Sequence, residues 1–138
     1  MLLDDHPELM PPMTEANRPY WEGCNANELR LQCCSDCATW RFPESPICPN
    51  CLGSRSEWLA VSGEATVFSW VVMHQKYFAA VADQAPYLVA MVRLAEGPMM
   101  VTTLDIDPAD LSIDQPVSLA FRRATATQQI PMFTAVSR

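Results

Sequence analysis

Residues 34–51 read CSDCATWRFPESPICPNC, with two Cys-x-x-Cys pairs, Cys34/Cys37 and Cys48/Cys51, ten residues apart. A Cys-x-x-Cys turn sets two thiolates on one side of a tight loop. A short hairpin joining two such turns supplies four soft ligands in a tetrahedron. The spacing predicts a structural zinc ribbon holding one zinc through Cys34, Cys37, Cys48 and Cys51. Two disulfides are the competing arrangement. No signal peptide precedes the segment, so a reducing cytoplasm is the expected setting, and it favours the metal. Four thiolates close the coordination sphere, and zinc held this way stabilises a fold instead of activating water.

Two further cysteines need placing. In Leu29-Arg30-Leu31-Gln32-Cys33-Cys34 the odd positions share one apolar strand face. Cys33 is therefore expected to pack while Cys34 turns to the metal. Cys24 has no partner at ligand spacing and is expected to be a plain thiol.

At 138 residues the chain allows one domain or two small ones. Its formal charge of −7 becomes about −9 once four thiolate charges are set against the two of Zn²⁺. Lys76 is the only lysine. Nucleic-acid binding rests on Lys and Arg neutralising phosphates, so this composition speaks against it. No apolar run reaches the length of a membrane span. The longest, 67–73, suits a buried strand.

Along the chain, residues 1–13 are acidic and proline-punctuated and are expected to be extended. Thr14 can cap a turn that ends at Pro19, and Pro19-Tyr20-Trp21-Glu22-Gly23 reads as a second turn stopped at Gly23. Residues 28–33 alternate as a strand leading into the first cysteine turn, and 38–42 leave it. From residue 57 onward every pattern is β. One long strand is expected over 57–73, bent at Ser62-Gly63. Further strands are expected over 87–94, 99–104, 117–122 and 130–136, with a helical turn at 107–111. Five short strands with a bent first one suit a small barrel of the OB type. The expected layout is an N-terminal helical docking segment over 1–27, a zinc ribbon over 28–56 and an OB domain over 57–138.

These stretches resemble the zinc-ribbon and OB-fold family associated with acyl-CoA enzymes, catalogued as domain of unknown function 35. The matching blocks are Tyr20-Trp21-Glu22-Gly23, Leu29-x-Leu31-Gln32-x-Cys34-x-x-Cys37, Phe42-Pro43 and Cys48-Pro49-x-Cys51. They continue with Ser62-Gly63-x-Ala65-x-Val67, Ala85-Pro86-Tyr87-Leu88-Val89-Ala90, Leu94-x-Glu96-Gly97 and Ile130-Pro131-x-Phe133. The resemblance implies a mainly β fold: short N-terminal helices, a rubredoxin-like zinc ribbon and a five-stranded OB barrel. It also implies a non-catalytic accessory subunit in a hetero-oligomer with a thiolase-superfamily or related acyl-CoA enzyme. Such a subunit bridges catalytic subunits and helps wall the pantetheine passage. The small subunit of the phloroglucinol acetyltransferase is one relative of this kind. Accessory subunits of MaoC-type hydratases or thiolase-like aldolases are the alternative. Many relatives carry arginine after the Glu-Gly turn and glycine before the fourth strand, where this chain has Pro98-Met99-Met100 and Asp114-Gln115.

Independent catalysis finds little support in the residues. Neither His6 nor His74 is accompanied by a nucleophile motif, a phosphate loop or an HxxxH pattern. Asp105, Asp107, Asp110 and Asp114 fail the EF-hand spacing and read as a solvated rim. OB folds and zinc ribbons also bind single-stranded nucleic acid, so that module is kept as the rival class, on fold alone. Tyr20 and Trp21, adjacent aromatics on a short proline-broken segment, have two readings: they pack on the ribbon, or they anchor the partner chain. The apolar loop 75–81 has two readings: a short helix over one mouth of the barrel, or a partner surface carrying Tyr77 and Phe78.

Overall fold

The computed structural model describes residues 6–136, and of Ala80 and Val81 the backbone alone. The part of the predicted extended tail over 1–5 lies outside the described residues. Pro7–Leu9 forms a single 3-10 turn. Two antiparallel ladders make the first sheet, in which β1 (Arg30–Cys34) lies between β2 (Trp40–Arg41) and β3 (Ser56–Ala60). The second sheet contains β4 (Glu64–Met73), β5 (Tyr87–Leu94), β6 (Met99–Thr102), β7 (Leu104–Asp105), β8 (Pro116–Arg123) and β9 (Gln129–Ala135). Its order is β6-β5-β4-β8-β9-β7.

The two outer strands of that sheet are consecutive in the chain. β6 pairs antiparallel with β5, and β7 pairs parallel with β9. Thr103 between them serves both sides: its hydroxyl donates to the Leu88 carbonyl at 3.1 Å, and its carbonyl accepts from the Phe133 amide at 3.2 Å. The sheet thus curls until one stretch, 99–105, makes both outer ladders, which is the OB arrangement. The second, fourth and fifth predicted barrel segments are present, and the third is divided in two at Thr103.

The long strand predicted over 57–73 is broken. β3 pairs with β1 along its whole length, whereas β4 pairs with β5 and β8. Period-two patterning is the same in either sheet, so the pattern continues across a change of partner. The corner is fixed by Gly63 at φ +87°, where a Cβ would stand 3.1 Å from that of Leu119. Glu96 accepts from both the amide and the hydroxyl of Ser62, at 3.1 Å each. Leu29 and Leu31 of the first sheet are buried in one core with Val67, Val92, Val117 and Phe133 of the second. Each fully buried side chain of this kind contributes about 1.5–3 kcal/mol.

Thr14 does cap the first turn, its hydroxyl accepting from the Asn17 amide at 3.3 Å and its carbonyl from the Arg18 amide at 2.9 Å. The second turn is longer than expected and forms a helix, α1 (Arg18–Asn25). Pro19 lies in its first turn, where the missing N–H has no helical partner to lose. Gly23 does not stop the helix. It is buried against β1, and a Cβ there would meet the Glu28 carbonyl at 2.8 Å and Arg30 Cγ at 2.9 Å. Beyond it, α1 is stitched to the turn between β8 and β9. Gln128 Nε2 donates to the Trp21 carbonyl at 3.1 Å, and Gln129 Nε2 to the Cys24 carbonyl at 2.9 Å. Asn25 accepts from the Gln129 amide at 2.8 Å and donates to the Thr127 carbonyl at 3.0 Å.

Candidate functional site

The two Cys-x-x-Cys turns adopt the same backbone path. Ala38 and Leu52, each just after the second cysteine, both have φ +63°. The Ala38 amide donates to the Cys34 carbonyl at 2.9 Å, and the Leu52 amide to the Cys48 carbonyl at 3.0 Å. Each turn is closed by its first cysteine's own amide, Cys34 to the Thr39 carbonyl at 2.9 Å and Cys48 to the Gly53 carbonyl at 2.8 Å. Neither left-handed residue is glycine, so each turn holds about 1–2 kcal/mol of backbone strain. Gly53 is required for a different reason: a Cβ would fall 2.6 Å from Asp36 Oδ2 and 3.2 Å from Cys51 Sγ. An Asp36–Arg55 ion pair ties the first turn to the strand leaving the second.

The four sulfurs all lie within 4.8 Å of one another. The Cys34–Cys51 and Cys37–Cys48 separations are both 3.6 Å. A tetrahedron with Zn–S bonds of about 2.3 Å has an edge of about 3.8 Å, so the donor set fits the metal. Local hydrogen bonds prepare it. The Thr39 hydroxyl and the Asn50 amide, 3.2 and 3.5 Å from Cys37 Sγ, bring that thiol down to about 5. The Cys37 backbone N–H does the same for Cys34, whose thiol is also lowered. Cys51 goes the other way. The Gly53 N–H lowers it, but hydrogen bonds with the Cys34, Cys37 and Cys48 sulfurs push it up to about 12. The crowded sulfurs thus keep a proton that a dication displaces.

Cys33 is half-buried beside Ala38, and its sulfur lies outside the cluster. Cys24 is fully buried under α1, where burial pushes its thiol up to about 12. Arg41 is buried as well. Its guanidinium donates to the Ser45 carbonyl at 2.7 Å and the Arg55 carbonyl at 3.3 Å, pinning both arms of the second turn. In the sequence Arg41 stands between Trp40 and Phe42, and no local signal marks it as buried. His74 is exposed at the end of β4. Of the acidic group, Asp107 caps the turn Pro108–Asp110, accepting the Ala109 amide at 2.9 Å, and the others are exposed.

The aromatic candidates separate into two places. Tyr20 packs against the core and the Phe42 ring, 6.0 Å between centroids, and burial pushes its hydroxyl well above its ordinary range. Trp21 stands edge-on to Tyr20 at 4.9 Å and is half-buried. Tyr77 and Phe78 precede the 3-10 helix Ala79–Gln84 and remain 63% and 57% exposed. The loop does form a short helix, and its two aromatics stand outside. A groove of about 410 Å³ runs from Tyr20 and Trp21 to the β5–β6 edge, lined by Tyr87, Val101 and Arg122 among others.

Comparison with known proteins adds to this geometry. Residues 21–57 match the family described as ChsH2, rubredoxin-like zinc ribbon domain, and residues 58–122 match ChsH2, C-terminal OB-fold domain. The chain is 32% identical over 113 residues to a DUF35 domain-containing scaffold protein of Methanothermobacter thermautotrophicus, covering 80% of this chain and 84% of that one. It is 32% identical over 134 residues to a probable enoyl-CoA hydratase alpha subunit of Thermomonospora curvata, covering 94% of this chain and 41% of that one. It is 31% identical to the 3-oxo-4,17-pregnadiene-20-carboxyl-CoA hydratase alpha subunit of Mycobacterium tuberculosis, covering 86% and 38%. The chain therefore spans about two fifths of the length of these two hydratase subunits. Among solved structures, a chain of an Ltp2-ChsH2(DUF35) aldolase superposes with a TM-score of 0.82 at 31% identity, covering 91% of this chain and 98% of that one. A DUF35 protein of Sulfolobus solfataricus gives 0.62 at 14% identity, which supports the fold alone. The zinc-ribbon match and the converging sulfurs together assign one structural zinc to the chain.

Proposed function

The chain belongs to the DUF35 family of zinc-ribbon and OB-fold proteins, and from that membership we propose that it is a non-catalytic accessory subunit of an acyl-CoA-handling complex. The observation that carries the proposal is a contrast within the molecule. Its one gathered donor set among the described residues is a closed four-sulfur centre, while large apolar side chains, Tyr77, Phe78, Val71 and Val101 among them, stand more than half exposed. A closed site offers no position to a substrate. Exposed aromatics are the residues that anchor interfaces. In this reading Cys34, Cys37, Cys48 and Cys51 hold the zinc, which fixes the ribbon. Trp21, Tyr77 and Phe78 contact the partner, and Tyr20 supports Trp21 from the core side. The favoured partner is an acyl-CoA enzyme of the thiolase superfamily, engaged in acyl transfer or carbon–carbon bond chemistry. The groove between α1 and the barrel is where this subunit would wall a pantetheine passage. The alignment with two hydratase alpha subunits favours a second reading, in which the partner is a MaoC-type hydratase.

Alanine at Trp21, or at Tyr77 and Phe78 together, tests the reading. Each change should weaken partner binding about thirtyfold, the loss of one interface anchor. Zinc content and melting of the isolated chain should stay near wild type. A Trp21→Ala chain that unfolds and loses metal would make Trp21 a core residue. Full affinity in both variants would remove these aromatics from the interface.

A further inference from the structure

The outer face of β4, β5 and β6 carries less polar surface than a sheet face in water normally does. Antiparallel sheets with one wet face alternate apolar and polar residues. Here the inward positions Val67, Ala90, Val92 and Met100 are buried, and most outward positions are apolar too, with Glu64, Thr66, Ser69 and Arg93 the polar exceptions. Val71 faces Val89, Met91 faces Val101, and Met73 faces Tyr87 across the ladders. Val71 and Val101 are 55% and 60% exposed. Phe68 sits at an irregularity in the β4–β5 register and is turned outward onto the same face. Tyr77 and Phe78, in the loop that follows β4, are exposed as well. Aromatic side chains bury about 150–250 Å² each, so several half-exposed ones with their valine neighbours leave on the order of 500 Å² of apolar surface. That is at the top of the range for a monomer's largest patch and more than half of what one partner contributes to a standard interface.

The charges around this face limit what covers it. Arg18, Arg30 and Arg55 pair with carboxylates elsewhere. Arg41 and Arg123 are bound to carbonyls. Among the described residues, the cations with neither a carboxylate nor a carbonyl partner are Lys76, Arg93 and Arg122. Arg93 stacks over the Phe68 ring at 5.4 Å, Lys76 adjoins Tyr77, and Arg122 lines the groove beside Val101. Among the described residues, an acidic chain thus sets unpaired positive charge on this apolar face, at Arg93, and at its edge, at Arg122. A second copy would bring like charges together. An anionic membrane would meet the remaining net charge of −7.

We propose that the outer face of β4–β6 docks a protein subunit presenting an apolar patch ringed by Asp and Glu. The inference rests on the accessory-subunit reading above and adds the surface and the charge of its counterpart.

The test starts with the tagged chain expressed in its native cell. The acyl-CoA enzyme recovered with it is identified, purified and titrated against variants. Val101→Asp should bind at least about thirtyfold more weakly. Arg93→Glu should also bind more weakly and flatten the salt dependence. Leu59→Asp, exposed on the ribbon sheet away from this face, should bind like wild type. Zinc content and circular dichroism check each fold; if Val101→Asp is misfolded, Arg93→Glu decides. Wild-type binding by Arg93→Glu and a folded Val101→Asp overturns the proposal. So does a wild-type dimer in sedimentation that Val101→Asp dissociates, or pelleting of the chain with 3:1 phosphatidylcholine–phosphatidylglycerol vesicles. Recovery of no acyl-CoA enzyme with wild type sinks the accessory-subunit reading itself and takes this proposal with it. The enzyme recovered but indifferent to the face variants sinks this proposal alone.

Discussion

Gly23→Ala opposes two effects of known sign. In a helix interior alanine is favoured over glycine by about 0.8–1.0 kcal/mol, so α1 read alone predicts a more stable protein. The packing predicts the reverse. The new Cβ would stand 2.8 Å from the Glu28 carbonyl oxygen and 2.9–3.0 Å from Arg30 Cγ and Cδ. The arginine can swing aside at the cost of its 2.8 Å ion pair with Glu28. The carbonyl cannot, because the Glu28 amide is bonded back to the Gly23 carbonyl at 2.8 Å. Overpacking of this kind costs about 1–3 kcal/mol, and a backbone obstacle puts the cost in the upper half of that range. The net change is about 1–2 kcal/mol of destabilisation, lowering the melting temperature by about 5 °C in a chain of this size. Calorimetry of the zinc-loaded protein measures it. The double variant with Arg30→Ala should recover only part of the loss, the remainder being the clash with the carbonyl. A Gly23→Ala chain that melts higher than wild type would refute the reasoning and leave helix propensity in charge.

Cys48→Ser should release the zinc and unfold the ribbon, with the barrel strands keeping much of their amide protection; full zinc content by elemental analysis would contradict this. Leu52→Gly should relieve the left-handed strain after the second cysteine turn and slow zinc loss to a chelator, whereas faster loss would show the strain is absent. Arg41→Ala should cost about 2–3 kcal/mol in denaturant melts, since the Ser45 and Arg55 carbonyls lose their buried charged donor; an unchanged midpoint would put the guanidinium in solvent. The Cys24 thiol has an ordinary value of 9.0 and a folded one of about 12. Above pH 9 the unfolded chain therefore releases a proton that the folded chain keeps, and stability falls by up to about 1.4 kcal/mol per pH unit. Between pH 9 and 10, before Tyr20 contributes, Cys24→Ala should remove most of that slope. The isolated chain should not turn over acyl-CoA; turnover abolished by His74→Ala would contradict that prediction.

The cysteine centre was legible because ligand spacing is a local property: the two turns lie within 18 residues (34–51) and each builds itself. Strands such as Tyr87–Leu94 were legible for the same reason. Partner choice was not. Residues 57–73 read as one continuous β run, yet their halves pair with strands on opposite sides of the Gly63 corner. Gly23 reads in sequence as a helix stop, whereas its role is set by Glu28 and Arg30 folding back against it. The side-chain bonds joining Asn25 to Thr127 and Gln129 span more than a hundred residues and leave no periodic trace. The apolar outer face was hidden differently. Apolar residues at both parities of 67–73 read as a strand buried on both sides, and the chain supplies a cover for only one of them.

Native mass spectrometry of the assembly purified through this chain from its own cell tests the central claim most directly, because one spectrum reports metal and partner together. The account predicts this chain with one zinc per copy, in fixed stoichiometry with an acyl-CoA enzyme subunit. A chain recovered alone, without zinc, or bound to nucleic acid would contradict it.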